Sequence, residues 1–182
     1  MVTVLMPVKD TPAGMLRQAV ESILGQTFRD FEFLILDDGS RNPETLRELD
    51  RQAALDPRIR LHTGAGAGVT KTLNWGLALA ARELVARQDA DDWSEPQRLE
   101  IQRNFLRLRP EIGLCGSNAW THRSDGGRLW RTRLPEGPAA TGEAFWRQNP
   151  FVHGAVMFRT AAARAAGGYR EEFSCAQDYD FF

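Results

Sequence analysis

At 182 residues, with 42% hydrophobic and 26% charged side chains, the chain is long enough to bury a core and too apolar to stay disordered. Its formal net charge of −1 gives it no overall attraction to nucleic acid. No apolar stretch is long enough to span a bilayer, so a soluble α/β enzyme or binding domain is the class left standing.

In chain order, Val2–Met6 reads as a short buried strand that stops at Pro7. Thr11-Pro12 offers an N-cap and a first-turn proline to a helix carrying Leu16, Ala19, Val20, Ile23 and Leu24 on one face. A strand over Phe31–Leu36 ends at Asp37-Asp38-Gly39-Ser40. Asn42-Pro43 opens a helix through about Leu55, and Ile59–His62 is a third strand. Gly64–Gly68 is a flexible turn before a helix over Val69–Ala81, and Leu84–Arg87 is a strand running into Asp89-Ala90-Asp91-Asp92. Ser94 and Gln97 form a capping box around Pro96 for a helix through about Leu108. Alternation of strand and helix predicts a doubly wound, mostly parallel sheet flanked by helices. Beyond Ile112 the rhythm changes. Ser124-Asp125-Gly126-Gly127 reads as a hairpin tip between Trp120–His122 and Leu129-Trp130. The two cysteines, Cys115 and Cys175, lack metal-site spacing, and Cys115 reads as a buried free thiol that fits a reducing compartment. The start of the chain carries no basic segment or cleavage site.

Three polar clusters fall at strand ends, where open α/β sheets gather ligands: Pro7-Val8-Lys9-Asp10, Asp37-Asp38-Gly39-Ser40 and Asp89-Ala90-Asp91-Asp92. Three carboxylates within four positions repel one another, and a hard divalent cation, Mn2+ or Mg2+, shared with substrate phosphates would relieve that. The competing reading is an acidic loop at the positive end of the next helix. Asp37-Asp38-Gly39-Ser40 is ordinary turn chemistry unless a carboxylate there accepts hydrogen bonds from a base or ribose. Gly64-Ala65-Gly66-Ala67-Gly68 fails the dinucleotide pattern, because Val69 stands where a third glycine is needed. Lys71 could meet a diphosphate as a point charge or simply be solvated. Asp178, among Tyr179, Phe181 and Phe182, suits a desolvated general base or an ordinary surface acid, and a lone His153 beside an apolar strand is more often structural.

Together these segments resemble the family-2 glycosyltransferases of the GT-A fold, nearly end to end. Val4–Val8 is similar to that family's opening strand, Ala19–Phe28 to its first helix and turn, and Gly68–Leu77 to the helix before its metal loop. Asp37–Ser40, the Asp89–Asp92 segment with Pro96 and Arg98-Leu99, Asn149-Pro150 with His153, Gly167–Arg170 and Gln177–Asp180 follow in the family's order. The resemblance implies one GT-A domain, with residues 1–110 binding nucleotide and 111–182 forming a partial acceptor-side half. It implies that Pro7, Val8, Asp10, Asp38, Lys71 and Asp89 contact the nucleotide, that Asp91 and Asp92 hold Mn2+ or Mg2+, and that Asp178 is the base. Asn149, His153 and Gln177 would line the sugar or acceptor side. The implied reaction is inverting transfer from a nucleotide-diphospho-sugar, UDP being the default, to a glycan or lipid-linked acceptor. It would take place in the cytoplasm or at the inner face of the membrane, with peripheral membrane contact through segments beyond these residues. Gln177 departs from the family's usual Glu, and the family generally continues past the position of Phe182, which implies either a truncated enzyme or a silent nucleotide-sugar-binding module. A nucleotidyltransferase would need a Gly-rich basic loop after the first strand, which Pro7–Pro12 does not supply.

Overall fold

A computed structural model describes residues 1–123, 126–173 and 175–182. Four parallel strands come first: β1 (Val2–Val8), β2 (Phe31–Asp37), β3 (Ile59–Thr63) and β4 (Leu84–Arg87). The six-stranded sheet has the order β3-β2-β1-β4-β8-β5, where β5 is Leu114–Gly116 and β8, Val156–Arg159, runs antiparallel to both its neighbours. Helices α1 (Ala13–Leu24), α2 (Pro43–Leu55), α3 (Val69–Leu79) and α4 (Arg98–Leu108) connect the strands. Strands β6 (Trp120–His122) and β7 (Arg128–Arg131) form a separate two-stranded ribbon, and α5 (Pro138–Ala144), α6 (Thr160–Ala165) and α7 (Gln177–Phe181) complete the chain. The mostly parallel α/β expectation holds. The Ser124-Asp125 part of the expected hairpin tip lies outside the described residues.

Strand alternation assigns the two faces of the sheet. Val2, Val4, Met6 and Val8 pack beneath Leu16, Val20, Ile23, Leu49, Leu99 and Leu106 from α1, α2 and α4. Leu5, Leu34 and Leu36 meet Leu73 and Leu77 of α3, Ala163 of α6 and Tyr169 on the other face. Each fully buried Leu, Ile or Phe contributes about 1.5–3 kcal/mol. Helix α3 can lie this close because residue 76 is glycine: a Cβ there would fall onto Leu5 Cδ1 and 2.8 Å from Leu36 Cδ1.

Local expectations need correction in four places. β1 does not stop at Pro7 but pairs through Val8 with Asp37. Leu5 and Pro7 turn the same way, toward β4, whose pairing with β1 ends at Leu5 and Arg87, so the ladder asks no N–H of Pro7. Pro12, not Thr11, is the N-cap of α1 and makes no side-chain cap, while the Thr11 carbonyl accepts a hydrogen bond from Thr45 Oγ1 at 2.8 Å. Helix α3 ends at Leu79, and the Ala81 amide donates instead to Glu32 Oε1 at 3.0 Å. The Ser94–Gln97 capping box does not form, because Ser94 Oγ donates to Gln88 Oε1 at 2.7 Å and α4 begins at Arg98.

Candidate functional site

Parallel strands deliver their carboxyl ends to one edge of the sheet, and here the loops after β1, β2, β3 and β4 enclose a cleft of about 630 Å3. Pro7, Val8, Asp10, Asp38, Asp89 and Asp91 all line it, as do Lys9, Gly66, Gly68 and Arg87. The Asp38 and Asp91 loops, from separate strands, therefore share one cavity.

Asp38 is buried, and its amide donates to Val8 O at 2.8 Å. Its carboxylate accepts from the Gly68 amide at 3.1 and 3.2 Å and from Thr72 Oγ1 at 3.0 Å, at the start of α3. Lys9 Nζ donates to Asp38 O at 2.7 Å and stands 3.5 Å from its Oδ2. Gly39, at φ +73°, approaches so closely that a Cβ would sit 2.9 Å from Gly66 N, so the two loops meet backbone to backbone. Asp10, itself left-handed at φ +48°, spends Oδ1 on the amides of Arg41 (2.6 Å) and Asn42 (2.8 Å). Those two amides, Asn42 first, hold its carboxyl below the ordinary aspartate range. Asp10 thus ties the first polar loop to the second while it faces the cleft.

The acidic loop after β4 rests on buried cations. The Arg87 side chain is 2% exposed and donates through a terminal nitrogen to Asp89 Oδ1 at 2.7 Å and through the other to Gln88 O, while its Nε has no partner among the described residues. Behind it Arg98 donates to Arg87 O at 2.6 Å and to Gln88 Oε1 and Ser94 Oγ, each at 2.9 Å. Burial, and then the Arg87 charge, push the Arg98 guanidinium down to about 10. Partial desolvation, followed by the charges of Asp89 and Asp91, raises the Asp92 carboxyl. Gly154 passes directly under this loop: a Cβ there would fall onto Asp89 Oδ2 and 3.2 Å from Asp92 Oδ2. Among the described residues no three or more His, Cys, Asp or Glu side chains are grouped to hold a metal ion by themselves.

The C-terminal segments close the edge of the sheet. His153 Nε2 lies 3.0 Å from Tyr169 Oη, and burial, then Arg87, lowers the imidazole to about 4, so His153 is neutral near pH 7. Asn74 on α3 fastens Tyr169 with two bonds of 2.8 Å, donating to its carbonyl and accepting from its amide. Phe181 stacks on Tyr169 with ring centroids 4.1 Å apart, which seats the short helix α7 on the core. At the start of α7, Asp178 Oδ2 accepts from Asn149 Nδ2 at 2.8 Å, and Asn149 is itself oriented because its Oδ1 accepts from the Phe151 amide at 3.0 Å. Asp178 and Asp89 both act electrostatically on His153 and on Tyr169.

Of the sequence-predicted residues, Lys71 stands apart from the main cleft. It lines an adjoining recess of about 270 Å3 with Thr72 and Trp75, which touches the cleft through Asp38. Asp92, Asn149, His153, Gln177 and Asp178 are not among the residues lining the cleft. Arg87, Arg98 and Gly154 were missed as parts of the site, and Lys9 was read only as a member of the first polar cluster. A lone arginine in the otherwise apolar strand Leu84-Val85-Ala86-Arg87 was the available signal, since a buried charge needs a partner.

A family model described as "Glycosyl transferase family 2" matches residues 3–166. The amylovoran biosynthesis glycosyltransferase AmsE of Erwinia amylovora is 30% identical over 174 residues, covering 96% of this chain and 64% of AmsE. The O-antigen biosynthesis glycosyltransferase WbnJ of Escherichia coli is 27% identical over 164 residues, covering 90% of this chain and 63% of WbnJ. The structure of the mannosyltransferase PcManGT from Pyrobaculum calidifontis, solved with GDP-Man and Mn2+, superposes with a TM-score of 0.73 at 21% identity, over 99% of this chain and 50% of that one. Staphylococcus aureus TarS 1–349 in complex with UDP-GlcNAc gives 0.74 at 17% identity, over 99% and 51%. These structures share the fold. The chain spans about 55–64% of the length of three curated relatives that it matches.

Proposed function

The chain belongs to glycosyl transferase family 2, and from that premise we propose that its cleft binds a nucleotide-diphospho-sugar and delivers the sugar, with inversion, to a glycan or lipid-linked acceptor. The observation that carries the proposal is the meeting of the Asp38 and Asp91 loops in one cavity at the carboxyl edge of the sheet. PcManGT was solved with GDP-Man and TarS with UDP and UDP-GlcNAc, which supports a nucleotide sugar as donor.

The residues fit a divalent cation, Mn2+ or Mg2+, of the kind that takes one or two carboxylates and completes its shell with water and phosphate oxygens. Asp91 lines the cleft with no side-chain partner among the described residues, and Asp89 spends only Oδ1 on Arg87. Asp91 would hold the ion, with Asp89 or Asp92 beside it. When bound, the ion would neutralise charge gathering on the departing diphosphate.

The remaining steps belong to side chains of this chain. Asp38, with Pro7 and Val8 at its flank, would accept hydrogen bonds from the nucleoside. Lys9 would meet phosphate from the main cleft and Lys71 from the adjoining recess. Asp178 would take the proton of the acceptor hydroxyl on Oδ1, since Asn149 already occupies Oδ2. The acceptor oxygen would form its bond to the anomeric carbon as the bond to the diphosphate breaks on the opposite face, giving a glycoside and a free nucleoside diphosphate. No protein nucleophile is needed. The site of action would be the cytoplasm or the inner face of the membrane.

A screen of UDP- and GDP-sugars with Mn2+ or Mg2+ tests this. A donor present at a hundred times its Kd adds about 2.7 kcal/mol, raising Tm by about 5–11 °C for a chain of this size. Absence of a shift with every nucleotide–metal pair would refute the assignment. A shift without donor turnover would leave a nucleotide-sugar-binding module.

A further inference from the structure

The ribbon formed by β6 and β7 is not needed by either face of the main sheet, yet it carries large apolar side chains into water. Trp120 is 44% exposed and Leu129 and Trp130 are each 55% exposed. Leu129 and Trp130 are consecutive in β7, at the register shift that leaves Leu129 without a partner on β6, and all four β7 residues are exposed. A soluble two-stranded ribbon ordinarily turns its apolar face inward, and this one does not.

The same segment is strongly basic. Between Ala119 and Leu134 it carries four arginines, Arg123, Arg128, Arg131 and Arg133, against one acidic residue, in a chain whose net charge is −1. Arg128 lies over the Trp120 ring, 4.8 Å from its centroid, and 4.0 Å from a carboxylate oxygen of Glu95. Among the described residues no carboxylate pairs with Arg131 or Arg133. Tryptophan, leucine and arginine on one exposed ribbon match the boundary layer of a bilayer, where indole rings sit at headgroup depth and guanidinium groups pair with lipid phosphates.

We propose that the β6–β7 ribbon is a docking surface for an anionic lipid bilayer, with Trp130 and Leu129 entering the headgroup region and Arg131 and Arg133 meeting lipid phosphates. The ribbon is joined to the acidic loop beside the cleft, since Trp93, 40% exposed, packs its ring edge on His122 with centroids 4.4 Å apart. Docking there holds that loop at the membrane surface, where a lipid-linked substrate would be presented. The lipid contact itself is independent of the donor assignment.

Co-sedimentation of the 182-residue chain with vesicles, without nucleotide, tests the inference. Binding is expected to vesicles of one part phosphatidylglycerol to three of phosphatidylcholine, and to be at least tenfold weaker with phosphatidylcholine alone. Leu129→Ser with Trp130→Ser should lower the partition coefficient at least tenfold, and Arg131→Gln with Arg133→Gln should remove most of its salt dependence. All four residues lie outside the buried core, so both variants should keep the Tm of the parent chain. No binding to anionic vesicles, equal binding by the serine variant, or concentration-dependent self-association abolished by that variant would each overturn the inference.

Discussion

Asp178→Asn is expected to lower donor turnover by about 10²–10⁴-fold, the range that general-base catalysis contributes, while leaving nucleotide affinity within about twofold. Asp178 heads α7 and is aimed by a chain of contacts that begins in the backbone: the Phe151 amide fixes Asn149, and Asn149 Nδ2 fixes Asp178 Oδ2. One oxygen is thereby held while the other remains for an incoming proton. An amide at this position keeps the shape and loses the basicity. The carboxylate is not among the groups lining the cleft proposed for the donor, which is why binding should survive. Single-turnover release of nucleoside diphosphate, measured beside a nucleotide titration, separates the two effects. Turnover within tenfold of the parent would remove Asp178 from the base role, and parallel loss of affinity and Tm would make it structural.

Arg87→Leu should have the largest effect on stability. Removing one partner of a buried ion pair costs about 3–5 kcal/mol, and the lower end applies because the Asp89 side chain remains 35% exposed. About 3 kcal/mol corresponds to a fall in Tm of about 6–12 °C for a domain of 150–250 residues. The loss has two parts. Asp89 Oδ1 and the Gln88 carbonyl lose their donor, and three carboxylates within four positions lose their nearest buried cation. Arg87→Lys should recover part of the stability, since it restores charge without the forked geometry that reaches both acceptors. Thermal unfolding of the three proteins decides the matter, and an unchanged Tm in the leucine variant would mean that the pair contributes nothing net.

Much of this arrangement was legible in the residues. Apolar runs such as Phe31–Leu36 and Leu84–Arg87 marked strands, and clustered Asp residues at their ends marked the edge where a ligand would gather. Less legible was anything decided by tertiary contact. Pro7 looked like a strand terminator because sequence does not reveal that β4 stops short of it. Ser94 and Gln97 have capping-box spacing, but Gln88 and Arg98 compete for the Ser94 hydroxyl and win. Asp10 was legible as a polar residue at a strand end, whereas its use as an acceptor for two amides of the next loop depends on a contact 31 and 32 residues away. The roles of Arg98 and Gly154 were not legible because they depend on what sits beneath the acidic loop, which no local pattern encodes, whereas Arg87 carried a signal as the lone charge in an apolar strand.

Titration of UDP and GDP in Mn2+, by calorimetry, against the parent chain, Asp38→Ala and Asp91→Ala asks most directly whether two distant loops make one pocket. Either substitution should weaken the preferred nucleotide at least tenfold, with the Asp91 variant losing its dependence on Mn2+ and the Asp38 variant retaining it. Equal affinity in all three proteins would contradict the shared cleft, and the transferase mechanism built on it would fall.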